Sequence, residues 1–161
     1  MKPSMPTDHQ TYMLTSLSEA EKARQLDEVP VGASIFSSSG KIISKAHNQV
    51  ISLGDPTAHA EVLALRQACR KMGNYRLPGT TLYVTVEPCP MCMGAIIHAR
   101  VKRIVFGTFD VKWGAAGSLY NLAADTRLNH RVEVITGILE NPCRKLMQDF
   151  FRSKRNRSPD R

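Results

Sequence analysis

Cysteine is scarce in this chain, four in 161 residues, which is too few for a disulfide scaffold. Long apolar runs are missing as well. No stretch approaches the roughly 18 consecutive apolar residues of a membrane-spanning helix, and Met1 to Leu17 lack the continuous apolar core of a signal peptide. These absences predict a cytoplasmic chain with no membrane partner. Acidic residues are in deficit, 14 against 22 Lys and Arg, and the resulting net charge of +8 points to a polyanionic partner such as nucleic acid. There is no internal repeat and no linker that would split the chain. A hydrophobic content of 42% over this length therefore fits one globular domain, with a core over about residues 8–155 and a basic tail, 156–161, expected to be disordered.

What the chain does have is two clusters of metal-ligand residues. His59-Ala60-Glu61 is followed thirty residues later by Pro88-Cys89-Pro90-Met91-Cys92. An H-x-E followed by P-C-x-x-C is the pattern of zinc deaminases, in which one His and two Cys hold the metal and the Glu stays free. Three protein ligands leave a fourth position open, the mark of a working zinc rather than a structural one. The other cysteines, Cys69 and Cys143, are solitary in amphipathic segments and read as small buried hydrophobes. C-x-x-C also occurs as a redox pair near βαβ patterns, but the prolines on both sides of Cys89 and the upstream His favour one Zn2+ per subunit on His59, Cys89 and Cys92.

The spacing gives each residue a task. A helix beginning at Cys89 puts both sulfurs on one face of its first turn, Pro88 and Pro90 suit a helix start, and the helix N-terminus favours thiolate. His59 and Glu61, two apart, would diverge on a continuous helix, so they are expected at its opening after Pro56 and Thr57. Zinc lowers the pKa of bound water to about 7, and Glu61 beside it serves as base and then acid.

Along the chain, Tyr12, Met13, Leu17, Ala20, Ala23 and Leu26 recur at helical spacing. Val31 to Phe36 and Lys41 to His47 read as strands joined by a Ser37–Gly40 turn. A helix from about Ala58 to Met72 ends at Gly73-Asn74. A strand, Thr81 to Val86, delivers the cysteines, followed by a helix to about Arg100 and strands Arg103–Gly107 and Arg131–Thr136. Asn141-Pro142 caps a last helix through about Arg152. This rhythm predicts a three-layer α/β/α sandwich, a mixed five-stranded sheet flanked by helices, with the metal at the carboxyl end of the third strand.

Beyond the metal motif, Val29-Pro30-Val31-Gly32-Ala33, Asn48, Asp55 to Glu61, Asn74-Tyr75-Arg76-Leu77, Thr81 to Cys89, Gly114 to Ser118, Asn129-His130 and Phe150-Phe151-Arg152 fit one pattern. Over roughly residues 11–155 the chain resembles the bacterial tRNA-specific adenosine deaminases. That resemblance implies a cytidine deaminase-like fold, a homodimer, and hydrolysis of adenosine to inosine at the wobble position of a tRNA anticodon stem-loop, with zinc-activated hydroxide attacking C6. It also implies that Asn48, Val31 and Gly32 form the pocket for the target nucleotide, and that Asp110, Lys112, Asn129 and Phe150 grip the flanking nucleotides while Arg152 meets phosphate. Phe150 and Phe151 are adjacent on a helix, so one of the two belongs to the core.

Two residues depart from the family. Phe109 and Trp113 flank Asp110 where relatives have small or polar neighbours, which adds a stacking surface or changes the neighbouring base that is tolerated. A lone Trp in a loop is more often packed on the body than exposed. Gly114-Ala115-Ala116-Gly117 resembles a phosphate cradle only loosely and reads better as a close-packed turn. Two other functions use the same motif: deamination of a free nucleobase or nucleotide (cytosine, guanine or a riboflavin precursor), and a binding module with structural zinc. The basic excess opposes the first; an intact Glu61 opposes the second.

Overall fold

The computed structural model describes residues 8–157. Its sheet begins as a hairpin. Between β1 (Gly32–Phe36) and β2 (Ile42–His47) the Ser37–Gly40 segment turns the chain, Ser37 N–H donating to the Lys41 carbonyl at 2.8 Å and the Ser37 hydroxyl accepting from Lys41 N–H. β3 (Thr81–Val86) pairs antiparallel with the other edge of β1. β4 (Arg103–Thr108) and β5 (Glu133–Ile135) then add in parallel, giving the order β2-β1-β3-β4-β5. A parallel pair needs a crossover, and α4 (Pro90–His98) supplies it between β3 and β4.

Helices cover both faces. Strand side chains alternate between them: Leu82 and Val84 join one core cluster with Ala64, Ala68 and Ile96, while Tyr83 joins another with Met13 and Cys143. The first cluster lies under α3 (Ala60–Met72) and α4, the second under α1 (His9–Gln25) and α5 (Glu140–Arg157). Ala60, Ala64 and Ala68, four residues apart and fully buried, let α3 lie close on β1 and β2. Phe106 is fully buried in that layer, and truncating such a ring to Ala costs about 3–5 kcal/mol. The expected three-layer α/β/α sandwich with a mixed five-stranded sheet is the observed one. Among the described residues no helix is long and apolar enough to cross a membrane.

Four local readings change. A short helix, α2 (Val50–Leu53), follows β2; the Glu28 carboxylate pins it by accepting from Ile51 N–H at 2.9 Å and Ser52 N–H at 2.8 Å, a partner too distant in sequence to be foreseen. α5 begins at Glu140, so Pro142 sits inside the first turn, where its missing N–H had no partner to lose. The same helix runs five residues past Arg152, because Asp27 accepts from Lys154 at 2.7 Å and Arg157 at 3.2 Å and ties its end to the loop before β1. Residues 156 and 157 are therefore helical; the rest of the tail, 158–161, lies outside the described residues. β5 is shorter than expected, starting at Glu133 rather than Arg131.

Candidate metal centre and active site

Two helix starts meet at the carboxyl end of β3. His59 is the N-cap of α3 with extended backbone (φ −71°, ψ 151°), and Cys89 is the N-cap of α4 (φ −75°, ψ 173°). Neither side chain caps its own helix, so both are free to turn toward each other. This resolves the spacing of His59 and Glu61: the first stands outside the helix and the second in its first turn.

His59 Nδ1 lies 3.7 Å from Cys89 Sγ and 3.4 Å from Cys92 Sγ, and the three ligand atoms all fall within 4.8 Å of one another. This group could hold a metal ion. Nitrogen and sulfur ligands at their usual distances from a tetrahedral zinc stand roughly 3.6 Å apart, so the observed spacing fits that ion without rearrangement. A hydrogen bond from Cys92, helped by His59 and opposed by burial, holds the Cys89 thiol down at about 4. The same bond, with burial, pushes Cys92 up, and the bond to Cys89 raises His59 against its burial. Glu61 is 4% exposed. Burial raises its pKa, its own backbone N–H and His59 oppose that, and the Cys89 charge adds to it. A carboxyl poised in this way can carry a proton.

These groups line a cavity of about 1330 Å³. Val31, Asn48, Asp110, Lys112 and Arg152 line it too. Three expected contacts do not. Gly32 is pressed under α1, where a Cβ would overlap the Ser16 carbonyl; Asn129 is exposed and stands outside the wall; and Phe150 is 5% exposed in the core, leaving Phe151 to line the cavity. α5 turns one face inward, and a 3–4 residue spacing of Arg144, Met147, Phe151 and Arg155 in the sequence carried that signal.

Two of the polar residues in the wall spend part of their bonding capacity on the backbone. Asn48 Nδ2 donates to the Val29 carbonyl at 3.2 Å and its Oδ1 accepts from Val50 N–H at 3.3 Å. That leaves one N–H and one lone pair of the amide for a ligand. Asp110 Oδ1 accepts from Lys112 N–H and Trp113 N–H, which caps the turn.

Glu87, passed over in the sequence, organises the whole loop after β4. It is 3% exposed, and its carboxylate accepts from the N–H groups of Asp110, Ala116 and Ser118, each at 3.0 Å, and from the Ser118 hydroxyl. A Cβ at Gly114 would overlap that carboxyl, so only glycine fits. The Gly114–Gly117 segment is thus a packed turn whose N–H groups are all taken, by the Asp110, Pro88 and Tyr120 carbonyls and the Glu87 carboxylate, not a phosphate cradle. Glu87 stands two residues before the zinc-motif Cys89, and a carboxylate at the buried end of a strand, just before a proline, is the signal that could have found it.

A family model described as MafB19-like deaminase matches residues 7–155. The tRNA-specific adenosine deaminase of Bacillus subtilis (strain 168) is 45% identical over 151 residues, covering 94% of this chain and 93% of its own length. A solved structure from studies of A-to-I editing by tRNA deaminases at the wobble position of transfer RNA superposes with a TM-score of 0.81 at 39% identity, covering 84% of this chain and 98% of that one. The guanine deaminase of Nitrosomonas europaea superposes with a TM-score of 0.78 at 25% identity, covering 92% and 87%.

Proposed function

Because the chain belongs to the MafB19-like deaminase family and groups with the tRNA-specific adenosine deaminases, we propose that it is a hydrolase that converts adenosine to inosine at the wobble position of a tRNA anticodon stem-loop. The observation that carries this reading is one cavity holding the His59–Cys89–Cys92 group and Glu61 together with Lys112, Arg144, Arg152 and Arg155. Drug-sized ligands occupy roughly 300–1,000 Å³. A cavity of about 1330 Å³ has room for more than one nucleoside, and its cations suit phosphate.

His59, Cys89 and Cys92 would hold zinc, which would supply a water acidified to a pKa near 7. Glu61 takes one proton from the attacking water and hands it to the purine ring nitrogen. It then takes the remaining hydroxyl proton and passes it to the amine, which departs as ammonia, so that it acts as base and then acid in each transfer. Asn48 offers its spare N–H and lone pair to the flipped nucleotide, Val31 walls the pocket, and Asp110 and Lys112 sit where the neighbouring nucleotides pass. Arg152, half paired with Asp149 at 3.6 Å, reaches a phosphate. Residues 8–155 act as one domain in the cytoplasm, where tRNA is modified. A homodimer widens the basic surface, and the exposed Ile51, Leu53, Leu119 and Tyr120 supply apolar area for it.

The test is a deamination assay with zinc-loaded protein on an unmodified anticodon stem-loop bearing adenosine at the wobble position. Its cytidine counterpart, guanine and free nucleosides run beside it, with Glu61→Ala as control. Inosine is expected only in the adenosine stem-loop and only with Glu61 present. Turnover of guanine or free nucleosides alone would place the chain with the small-molecule deaminases.

A further inference from the structure

We propose that Trp113 and Phe109 form an aromatic platform that stacks on a base next to the one deaminated and so sets how tightly this chain holds single-stranded RNA. The proposal rests on the RNA reading above.

The side chains are large, apolar and left in water. Trp113 is 66% exposed and Phe109 46% exposed, and both line the cavity that holds the metal group. Slackness of the loop does not explain this. Asp110 Oδ1 accepts from the backbone N–H of Trp113 at 3.2 Å, Gly114 N–H donates to the Asp110 carbonyl at 2.7 Å, and Glu87 holds the backbone on either side at Asp110, Ala116 and Ser118. The backbone under both rings is therefore fixed by at least five hydrogen bonds. Phe109 is braced edge-on by Phe106, with centroids 5.2 Å apart and planes at 87°, an arrangement that steadies the ring. A loop this well tied could have packed an indole against the body, where an aromatic contributes most to folding. It presents the indole to the cavity instead.

Charge identifies the occupant. Lys112 lies between the two aromatics in sequence, Arg155 lines the same cavity from α5, and neither pairs with a carboxylate among the described residues. Flat π faces beside free cations match a nucleobase with its phosphate, the combination by which proteins hold single strands. The four carboxylates in the wall do not oppose this. Glu28 and Glu87 are consumed by backbone N–H groups, Asp110 caps its turn, and Glu61 is buried.

Trp113 is the only tryptophan in the chain, so its emission reports on this surface alone. The experiment titrates zinc-loaded protein carrying Glu61→Gln, which blocks turnover, with a fluorescein-labelled anticodon stem-loop bearing adenosine at the wobble position. Binding is followed by anisotropy of the label. Trp113 emission is followed in parallel with the unlabelled loop. Two further loops carry an abasic site on the 5′ or the 3′ side of that adenosine. Saturable quenching of Trp113 by the intact loop is expected, with quenching lost for one of the two abasic loops. Trp113→Ala should weaken the intact loop by about five- to a hundredfold and weaken that abasic loop no further, and Trp113→Phe should restore most of the loss.

Three results would overturn the platform: an indole signal unchanged at saturating RNA, Trp113→Ala weakening intact and abasic loops equally, or emission that follows protein concentration but not RNA, which would place Trp113 in a contact between subunits. Failure of the parent reading looks different. There the wild-type protein deaminates no stem-loop at all, whereas a silent Trp113 beside normal deamination sinks the platform alone.

Discussion

At the floor of the cavity, His59, Glu61, Cys89 and Cys92 owe their positions to the backbone. They are the caps and first turns of α3 and α4; fully buried alanines seat α3, and the fully buried Met93 and Ile96 seat α4, in the core over the strands. At the rim, position comes from single side chains reaching across the fold: Glu87 gathers the loop that carries Trp113, Glu28 pins α2, and Asp27 ties down the end of α5. The difference teaches that reactive groups, which tolerate little displacement, are built into secondary structure. The recognition surface hangs from a few carboxylates, where one substitution can reshape it without disturbing the chemistry.

Breaking the floor should give the largest effects and leave the fold standing. Cys92→Ser is expected to lose bound metal and with it all measurable deamination, while far-UV circular dichroism stays that of the wild type, because both core clusters are complete without the metal. Elemental analysis of the purified variant checks the first point; a collapse of the spectrum would show that the floor depends on metal for folding. Glu61→Gln separates the proton carrier from the ligands. It should retain stoichiometric zinc and lose about 10²- to 10⁴-fold in the single-turnover rate. A variant that keeps the wild-type rate would remove Glu61 from the mechanism.

Glu87 tests the rim. Glu87→Ala leaves three backbone N–H groups without their acceptor, at about 1–3 kcal/mol for each that stays dry. The expected result is a fall in stability, a rise in KM of about tenfold for the stem-loop through loss of loop positioning, and a kcat close to wild type. Hydrogen exchange at the amides of Asp110, Ala116 and Ser118 should quicken before the rest of the sheet. An equal fall in kcat would mean that the loop supports the floor after all, and the contrast between the two regions would fail.

The same division explains what could be read from the sequence. Strand alternation, the Gly73 stop and the spacing of His59, Cys89 and Cys92 are local signals, and the sheet, the helices and the metal group follow from them. The misread features rest on partners far along the chain. α2 depends on Glu28 and the length of α5 on Asp27, while the Gly114 turn was legible as close-packed but its distant anchor, Glu87, was not. Phe150 and Phe151 were separable in principle as core and surface, but which was which depended on the rotation of α5 about its axis, a property of packing rather than of periodicity. Gly32 matched a pocket residue by motif alone, and its missing side chain serves the approach of α1 instead.

Glu28 allows a milder test in which pH replaces truncation. Burial pushes its pKa up, but the Ser52 and Ile51 N–H groups and the Ser52 hydroxyl outweigh it and hold the carboxyl below its ordinary value. A depressed carboxyl contributes stability that is fully present above the unfolded pKa of about 4.3 and is lost as pH falls through the folded value. Wild type should therefore lose stability on acidification more steeply than Glu28→Gln, and the difference between their urea midpoints should narrow below about pH 4. Parallel acid limbs would mean that Glu28 is not the pin of α2.

The smallest expected effect separates the cations of α5 from one another. Arg144 is paired with Glu140 at 2.6 Å and Arg152 with Asp149 at 3.6 Å, whereas Arg155 faces the cavity with no carboxylate partner among the described residues. A free cation on a single-stranded phosphate displaces one condensed counterion, worth a slope of about −0.7 in log K against log salt. A cation that must first leave a carboxylate contributes less. Arg155→Ala should therefore flatten the salt dependence of stem-loop binding by close to that amount, Arg152→Ala by less and Arg144→Ala least, with deamination of bound substrate unchanged in all three. A reversed order would show that the ion pairs on α5 open when RNA arrives, and that the rim is rebuilt by its substrate rather than waiting for it.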